Sequence, residues 1–150
     1  MLLLNYLNIR QLVRIMCKLL MIDDNPLEHL IMQRMVDNYN VFPNMAHSLE
    51  ADMAISYLEN NYTDSENLPN VIFLDLNMPK FNGWDFIKSF EKIYAKLKKP
   101  IDIYVISSSI DSLDVAMSEK YPFIKAFFPK PIAKATLVDL HAIYNTAEGN

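Results

Sequence analysis

Val71-Ile72-Phe73-Leu74-Asp75, followed by Leu76-Asn77-Met78-Pro79, is the stretch whose reading decides the fold. A short continuous apolar run is the signature of a strand buried on both faces, as in a parallel sheet. The run stops abruptly on an acid. The same grammar recurs along the chain. Leu19-Leu20-Met21-Ile22 ends at Asp23-Asp24, Ile101 to Ile106 ends in Ser107-Ser108-Ser109, and Ala126-Phe127-Phe128 ends at Lys130. A weaker strand falls within Val41 to Ser48.

Helical spacing fills the intervals. Asn25-Pro26-Leu27-Glu28 reads as a helix start, with Asn25 as N-cap, Pro26 in the first helical position and Glu28 as the acid of a capping box. Leu27, Leu30, Ile31 and Met35 are the expected buried stripe of that helix. Ala51, Ala54, Ile55 and Leu58 mark a second helix, and Asn60 to Asn70 reads as a loop. Gly83 is expected to punctuate the turn after the central strand. Phe86, Ile87, Phe90, Ile93, Tyr94 and Leu97 mark a third helix, Leu113, Ala116 and Met117 a short fourth, and Leu137, Leu140, His141 and Tyr144 a fifth. Five strands alternating with five helices predict an α/β fold, a parallel sheet wrapped on both faces. No repeat, low-complexity tract, linker or second domain is expected.

Composition narrows the function. The chain has 150 residues, 51% of them apolar and 21% charged, which suits one globular domain with a proper core. A net charge of −4 offers no basic footprint for nucleic acid. The single cysteine, Cys17, excludes an internal disulfide and fits a reducing, cytoplasmic compartment. Only two glycines are present, Gly83 and Gly149, which excludes the Gly-rich phosphate loops. Phosphate chemistry here would have to use a metal and side chains.

Residues 1–17 stand apart as an N-terminal extension. Asn5, Asn8, Arg10, Gln11 and Arg14 interrupt the apolar stretch, so no membrane span is expected. No basic start or alanine cleavage site marks a signal peptide. Leu2, Tyr6, Ile9, Val13 and Met16 fall on one helical face. Three readings stand: an upstream start with Met16 as the true first residue, a helix that docks on the domain or a partner, and a membrane-surface helix.

In open parallel sheets, ligands sit outside the carboxyl ends of the strands. Asp23, Asp24, Asp75, Ser107 and Lys130 all stand there. Each has an ordinary explanation, since an acid after a strand is usually a cap or turn residue. Asn25, however, already takes the cap after the first strand. Two like charges ~4 Å apart cost on the order of 4 kcal/mol at intermediate dielectric, so the three acids call for a divalent cation. All-oxygen ligands with few protein donors suit Mg2+. A carboxylate beside that metal, flanked by a hydroxyl and a lysine, is arranged to accept a phosphoryl group, with Asp75 as the nucleophile.

The segments LLMIDDNP, VIFLDLNMPKFNGWDF, IYVISSSID and FFPKP, in that order, resemble the receiver domain of two-component response regulators. The resemblance runs from about Lys18 to the last helix, with residues 18–147 as the receiver domain. It implies a flavodoxin-like, doubly wound sheet with strand order 2-1-3-4-5 and helices on both faces. It further implies that Asp75 accepts phosphate from a sensor histidine kinase or a histidine phosphotransfer protein. Asp23, Asp24, Asp75 and the Asn77 carbonyl would hold Mg2+. Ser107 and Lys130 would take phosphoryl oxygens, and Phe127 falls at the switch aromatic. The signal would leave through the fourth helix, fifth strand and fifth helix to a separate target protein. Pro129 departs from the pattern by removing a backbone donor beside the switch, which an edge strand tolerates.

Two other functions compete. An aspartate-nucleophile phosphatase needs a second acid two residues on, and Asn77 stands there. A pseudo-receiver scaffold usually lacks one of the site residues, and all five are present. His29, His47 and His141 read as scattered surface or partly buried positions, and Trp84 as filling.

Overall fold

The computed structural model of the chain describes residues 17–148. The elements are β1 (Leu19–Ile22), α1 (Pro26–Tyr39), β2 (Ala46–Ser48), α2 (Ala51–Asn60), β3 (Val71–Leu74), α3 (Gly83–Tyr94), β4 (Asp102–Ser107), α4 (Ser112–Ser118), β5 (Ile124–Pro129) and α5 (Lys134–Glu148). The strands form one parallel sheet in the order β2-β1-β3-β4-β5, the doubly wound arrangement expected. The helical face expected for Leu2 to Met16 lies outside the described residues. Cys17, counted above with the extension, is fully buried, and its N–H donates to Asn145 Oδ1 on α5.

Alternation along the strands divides the core into two layers. Leu20, Ile22, Ile72, Leu74, Ile103 and Val105 face α2 and α3, where Ala54, Leu58, Phe86 and Phe90 meet them. Leu19, Met21, Val71, Phe73, Tyr104 and Ile106 face α1 and α5, against Met32, Val36, Leu137 and Leu140. Every residue of β1 and β3 is buried, which is why both read as unbroken apolar runs. β2 covers three residues and stands at the sheet's edge. β5 is the opposite edge. There the Lys130 N–H donates to Ser107 O at 2.8 Å, so the neighbouring Pro129 nitrogen points away from the ladder and its missing donor costs no sheet bond.

Four local expectations need correction. The buried positions of α1 are His29, Met32 and Val36, whereas Leu27, Leu30 and Ile31 are exposed by 59%, 49% and 40%, and Met35 is half-buried. The apolar residues of this helix form two stripes, and docking on the sheet selects the other one. Asn25 caps α1 by accepting from the Leu27 N–H, so Glu28 completes no capping box. The capping box is instead on α3, where Asn82 and Asp85 exchange side-chain and backbone bonds. Gly83 opens that helix rather than a turn, and Leu97 lies beyond its end. Gly83 is needed for close approach: a Cβ there would lie 2.6 Å from both Asp75 O and Leu76 Cα.

Candidate functional site

Register brings the strand ends together. Ile22 pairs with Leu74, so Asp23 and Asp75 emerge side by side. The Asp75 N–H donates to Ile22 O at 3.0 Å, and the Asp23 N–H to Ser48 O at 3.2 Å. Both aspartates are buried, while Asp24 is exposed. One carboxylate oxygen from each of the three lies within 4.8 Å of the others. Lys130 reaches in from the end of β5. Its ammonium donates to Asp23 Oδ2 at 2.6 Å and stands 3.6 Å from Asp75 Oδ2. The pocket they share, of about 510 Å³, is also lined by Asn25, Pro26, Glu28, Asn77 and Ser108.

The charges do not balance. Three carboxylates face one ammonium, with Glu28 at the rim. Burial pushes the Asp75 carboxyl above its usual range, and Asp23 and Asp24 add to that. The Asn77 N–H, 3.2 Å from Asp75 Oδ1, and the Lys130 charge oppose the shift without cancelling it. For Lys130, burial alone would lower the pKa. The hydrogen bond to Asp23 and the charges of Asp23, Asp75 and Glu28 outweigh burial and hold it above the ordinary lysine value. Oxygen donors this close, open to solvent on one side, fit a hard divalent cation that keeps part of its water shell.

Of the residues singled out in the sequence, Asp23, Asp24, Asp75, Asn77 and Lys130 line one pocket. Ser107 is buried at the end of β4, but its hydroxyl donates to Ser109 O at 2.8 Å and accepts from the Ser109 N–H. Ser108, not Ser107, is on the pocket wall. Phe127 is half-buried on β5 and lines a separate cleft of about 540 Å³ between α4 and β5.

Sequence reasoning missed His29. It is buried on α1, with Nε2 2.7 Å from Asp23 O and Nδ1 2.7 Å from His47 Nδ1 on β2. A carbonyl only accepts, so His29 Nε2–H donates to Asp23 O, and at the far end of the chain His47 Nε2 lies 2.7 Å from Gln33 Oε1. Burial, and then His29 beside it, hold the His47 pKa below the usual histidine value. This side-chain chain buttresses the turn that carries Asp23. Its one sequence signal was position: His29, Met32 and Val36 are spaced as a helical stripe, with a histidine among apolar residues.

Comparison with known proteins identifies a family. The family described as "Response regulator receiver domain" matches residues 19–142. The chain belongs to that family. Solved structures similar to the receiver include a two component response regulator from Cytophaga hutchinsonii, 24% identical with a TM-score of 0.77 over 87% of this chain and 98% of that one. A response regulator receiver protein from Dyadobacter fermentans is 24% identical, with a TM-score of 0.73 over 85% and 97%. A two-component response regulator from Legionella pneumophila is 20% identical, with a TM-score of 0.73 over 87% and 98%. At these identities the likeness speaks for the fold. No curated protein matches the receiver by sequence. Among the described residues no helix is long and apolar enough to cross a membrane.

Proposed function

We propose that this receiver is a phosphoacceptor, phosphorylated on Asp75 by a sensor histidine kinase or a histidine phosphotransfer protein, with Mg2+ held by Asp23, Asp24, Asp75 and the Asn77 carbonyl. The observation that carries the reading is the charge imbalance: three carboxylates share one ammonium in a pocket open to solvent. A bound divalent cation would neutralise the acids and the phosphoryl oxygens during transfer.

An Asp75 carboxylate oxygen attacks the phosphorus of a phosphohistidine. The new P–O bond forms as the P–N bond breaks, and the imidazole leaves with that electron pair. Asp75 suits the task because it is buried, acts from the end of the central strand and keeps Oδ2 only 3.6 Å from Lys130. Lys130 can release Asp23 and pair with a phosphoryl oxygen. The apolar face of α1 at Leu27, Leu30 and Ile31 adjoins the Asn25–Pro26 rim of the pocket, which supports docking of a donor protein there.

Output follows from Ser107 and Phe127. A phosphoryl oxygen offers the Ser107 hydroxyl a stronger, charge-assisted bond than the Ser109 carbonyl does. The hydroxyl's departure frees the β4–α4 loop, and the cleft beside β5 gives Phe127 room to turn inward. The readout surface is then α4, β5 and α5, where Leu113 and Met117 stand exposed to a separate target protein. Residues 18–147 are the working unit, and a chain begun at Met16 is expected to fold and label normally.

Incubation with acetyl phosphate and Mg2+ should add one phosphoryl group by intact mass, and Asp75→Asn should remove the signal. Undiminished labelling of Asp75→Asn overturns the assignment. An unchanged Mg2+-induced rise in melting temperature for Asp24→Ala places the metal elsewhere.

A further inference from the structure

Helix α4 is poorly anchored for an element that carries the output. It spans seven residues, far below the ~12–15 at which a helix becomes even marginally stable alone. It buries only Ser118 and exposes Leu113, Val115 and Met117. The bonds at its two ends are its own: the Asp111 cap accepts from the Leu113 N–H, and Ser118 donates to the Val115 carbonyl. Among the described residues, one side-chain hydrogen bond ties α4 to another element. The Trp84 indole Nε1–H, on α3, donates to Asp114 Oδ1 at 3.0 Å. The same indole ring packs on Tyr121, just past the helix, at 6.2 Å between centroids.

The other end of this contact is the phosphoacceptor loop. Trp84 follows Gly83, whose N–H donates to Leu76 O at 3.1 Å and whose Cα lies against Asp75 O without space for a Cβ. The path from Asp75 to α4 is therefore short and tightly packed: the Asp75–Leu76 backbone, Gly83, the Trp84 ring, Asp114. It does not pass through Ser107, Phe127 or β5.

We propose that the Trp84–Asp114 hydrogen bond is a latch that seats α4 and couples it to the Asp75 loop, by a second route beside Ser107. Trp84 and Asp114 are positioning residues for the output surface, not catalytic ones. The coupling half of this inference rests on phosphorylation of Asp75; the seating half does not.

The seating half is tested on the unphosphorylated full chain by amide hydrogen exchange. Breaking a hydrogen bond to a charged acceptor should speed exchange across residues 112–118 about tenfold in Asp114→Ala and in Trp84→Phe, with α3 unchanged. Asp114→Asn keeps an acceptor oxygen and should behave as the parent. The double variant Trp84→Phe/Asp114→Ala should exchange no faster than either single one. Unchanged exchange in α4, additive effects, or an Asp114→Asn as fast as Asp114→Ala overturns the latch.

The coupling half uses the fact that Trp84 is the chain's single tryptophan. Beryllofluoride with Mg2+ should shift its fluorescence in the parent and leave Asp114→Ala unresponsive. A chain that labels with acetyl phosphate yet shows no fluorescence response overturns the second route and leaves the phosphoacceptor reading intact. A chain that does not label refutes that reading instead, and the exchange experiment still decides the seating.

Discussion

The two ends of the sheet treat their carboxylates in opposite ways. At the amino end, Asp102 opens β4 and is answered from within the protein. Tyr144 Oη donates to it at 2.5 Å, Tyr104 and Tyr144 hydroxyls lie 2.8 Å apart, and Lys125 Nζ stands at 3.8 Å. Burial, and then the bonds to Asp102 and Tyr104, push the Tyr144 pKa far above the tyrosine range, so it stays a donor. At the carboxyl end, Asp23, Asp24 and Asp75 have one lysine among them. A closed network stabilises and fixes a helix, here α5. An unbalanced one costs stability and fits a cation from outside the chain.

Removing the ammonium should have the largest effect. Lys130→Met leaves two buried aspartates uncompensated and should cost ~3 kcal/mol in metal-free buffer. Saturating Mg2+ should recover most of that loss, so the Mg2+-induced rise in melting temperature should exceed the parent's. An equal rise in both would mean that the metal and Lys130 do not answer the same charges.

At the closed end, Tyr144→Phe should cost ~2 kcal/mol in denaturant unfolding, the value of a hydrogen bond to a charged group. Its labelling rate should match the parent's. A slowed rate would show that the two ends are coupled and that the contrast is too sharp.

His29→Ala should weaken Mg2+ binding about tenfold in a calorimetric titration, as for other groups that orient a ligand from behind. His29→Gln, which can still donate to the Asp23 carbonyl, should recover part of the loss. Equal losses in both would reduce His29 to core packing.

The smallest effect concerns Asp75 itself, and its sign is the informative part. Its pKa is raised by burial, so between the ordinary carboxylate value and the raised one the folded state binds more protons than the unfolded state. Stability from this group is therefore full below the unfolded pKa and falls as pH climbs through the folded one. Asp75→Asn removes the penalty and should stabilise the metal-free chain at pH 7 and leave it unchanged near pH 3. Destabilisation at pH 7 would mean that the Lys130 contact outweighs burial.

Several parts of the site were legible because they depend on position along the chain alone. Asp75 and Asp23 each follow a strand whose burial on both faces leaves no room for a polar residue, and Lys130 follows a half-buried edge strand marked by Ala126, Phe127 and Phe128. The partners of those groups were harder to see. His29 is a polar residue among the buried positions of a helix that also exposes Leu27, Leu30 and Ile31, so hydrophobic pattern pointed to those three. The orientation of the Ser107 hydroxyl toward Ser109 has no sequence signal, because a hydroxyl turns to whichever acceptor is nearest. Trp84 read as filling, since only the tertiary placement of α4 beside α3 brings Asp114 to its indole.

By itself the sequence determined the order and type of the elements, the parallel sheet and the acids and lysine at its carboxyl edge. Those follow from local periodicity and from the rule that a buried strand is uniformly apolar. The tertiary structure alone decided which stripe of α1 is buried, how near Lys130 comes to Asp23 and Asp75, and what holds α4. Each of these depends on the distance and angle between groups up to 107 residues apart in the chain. Such distances are set by strand register and helix docking, on which the energies of burial and charge depend and which no local window contains.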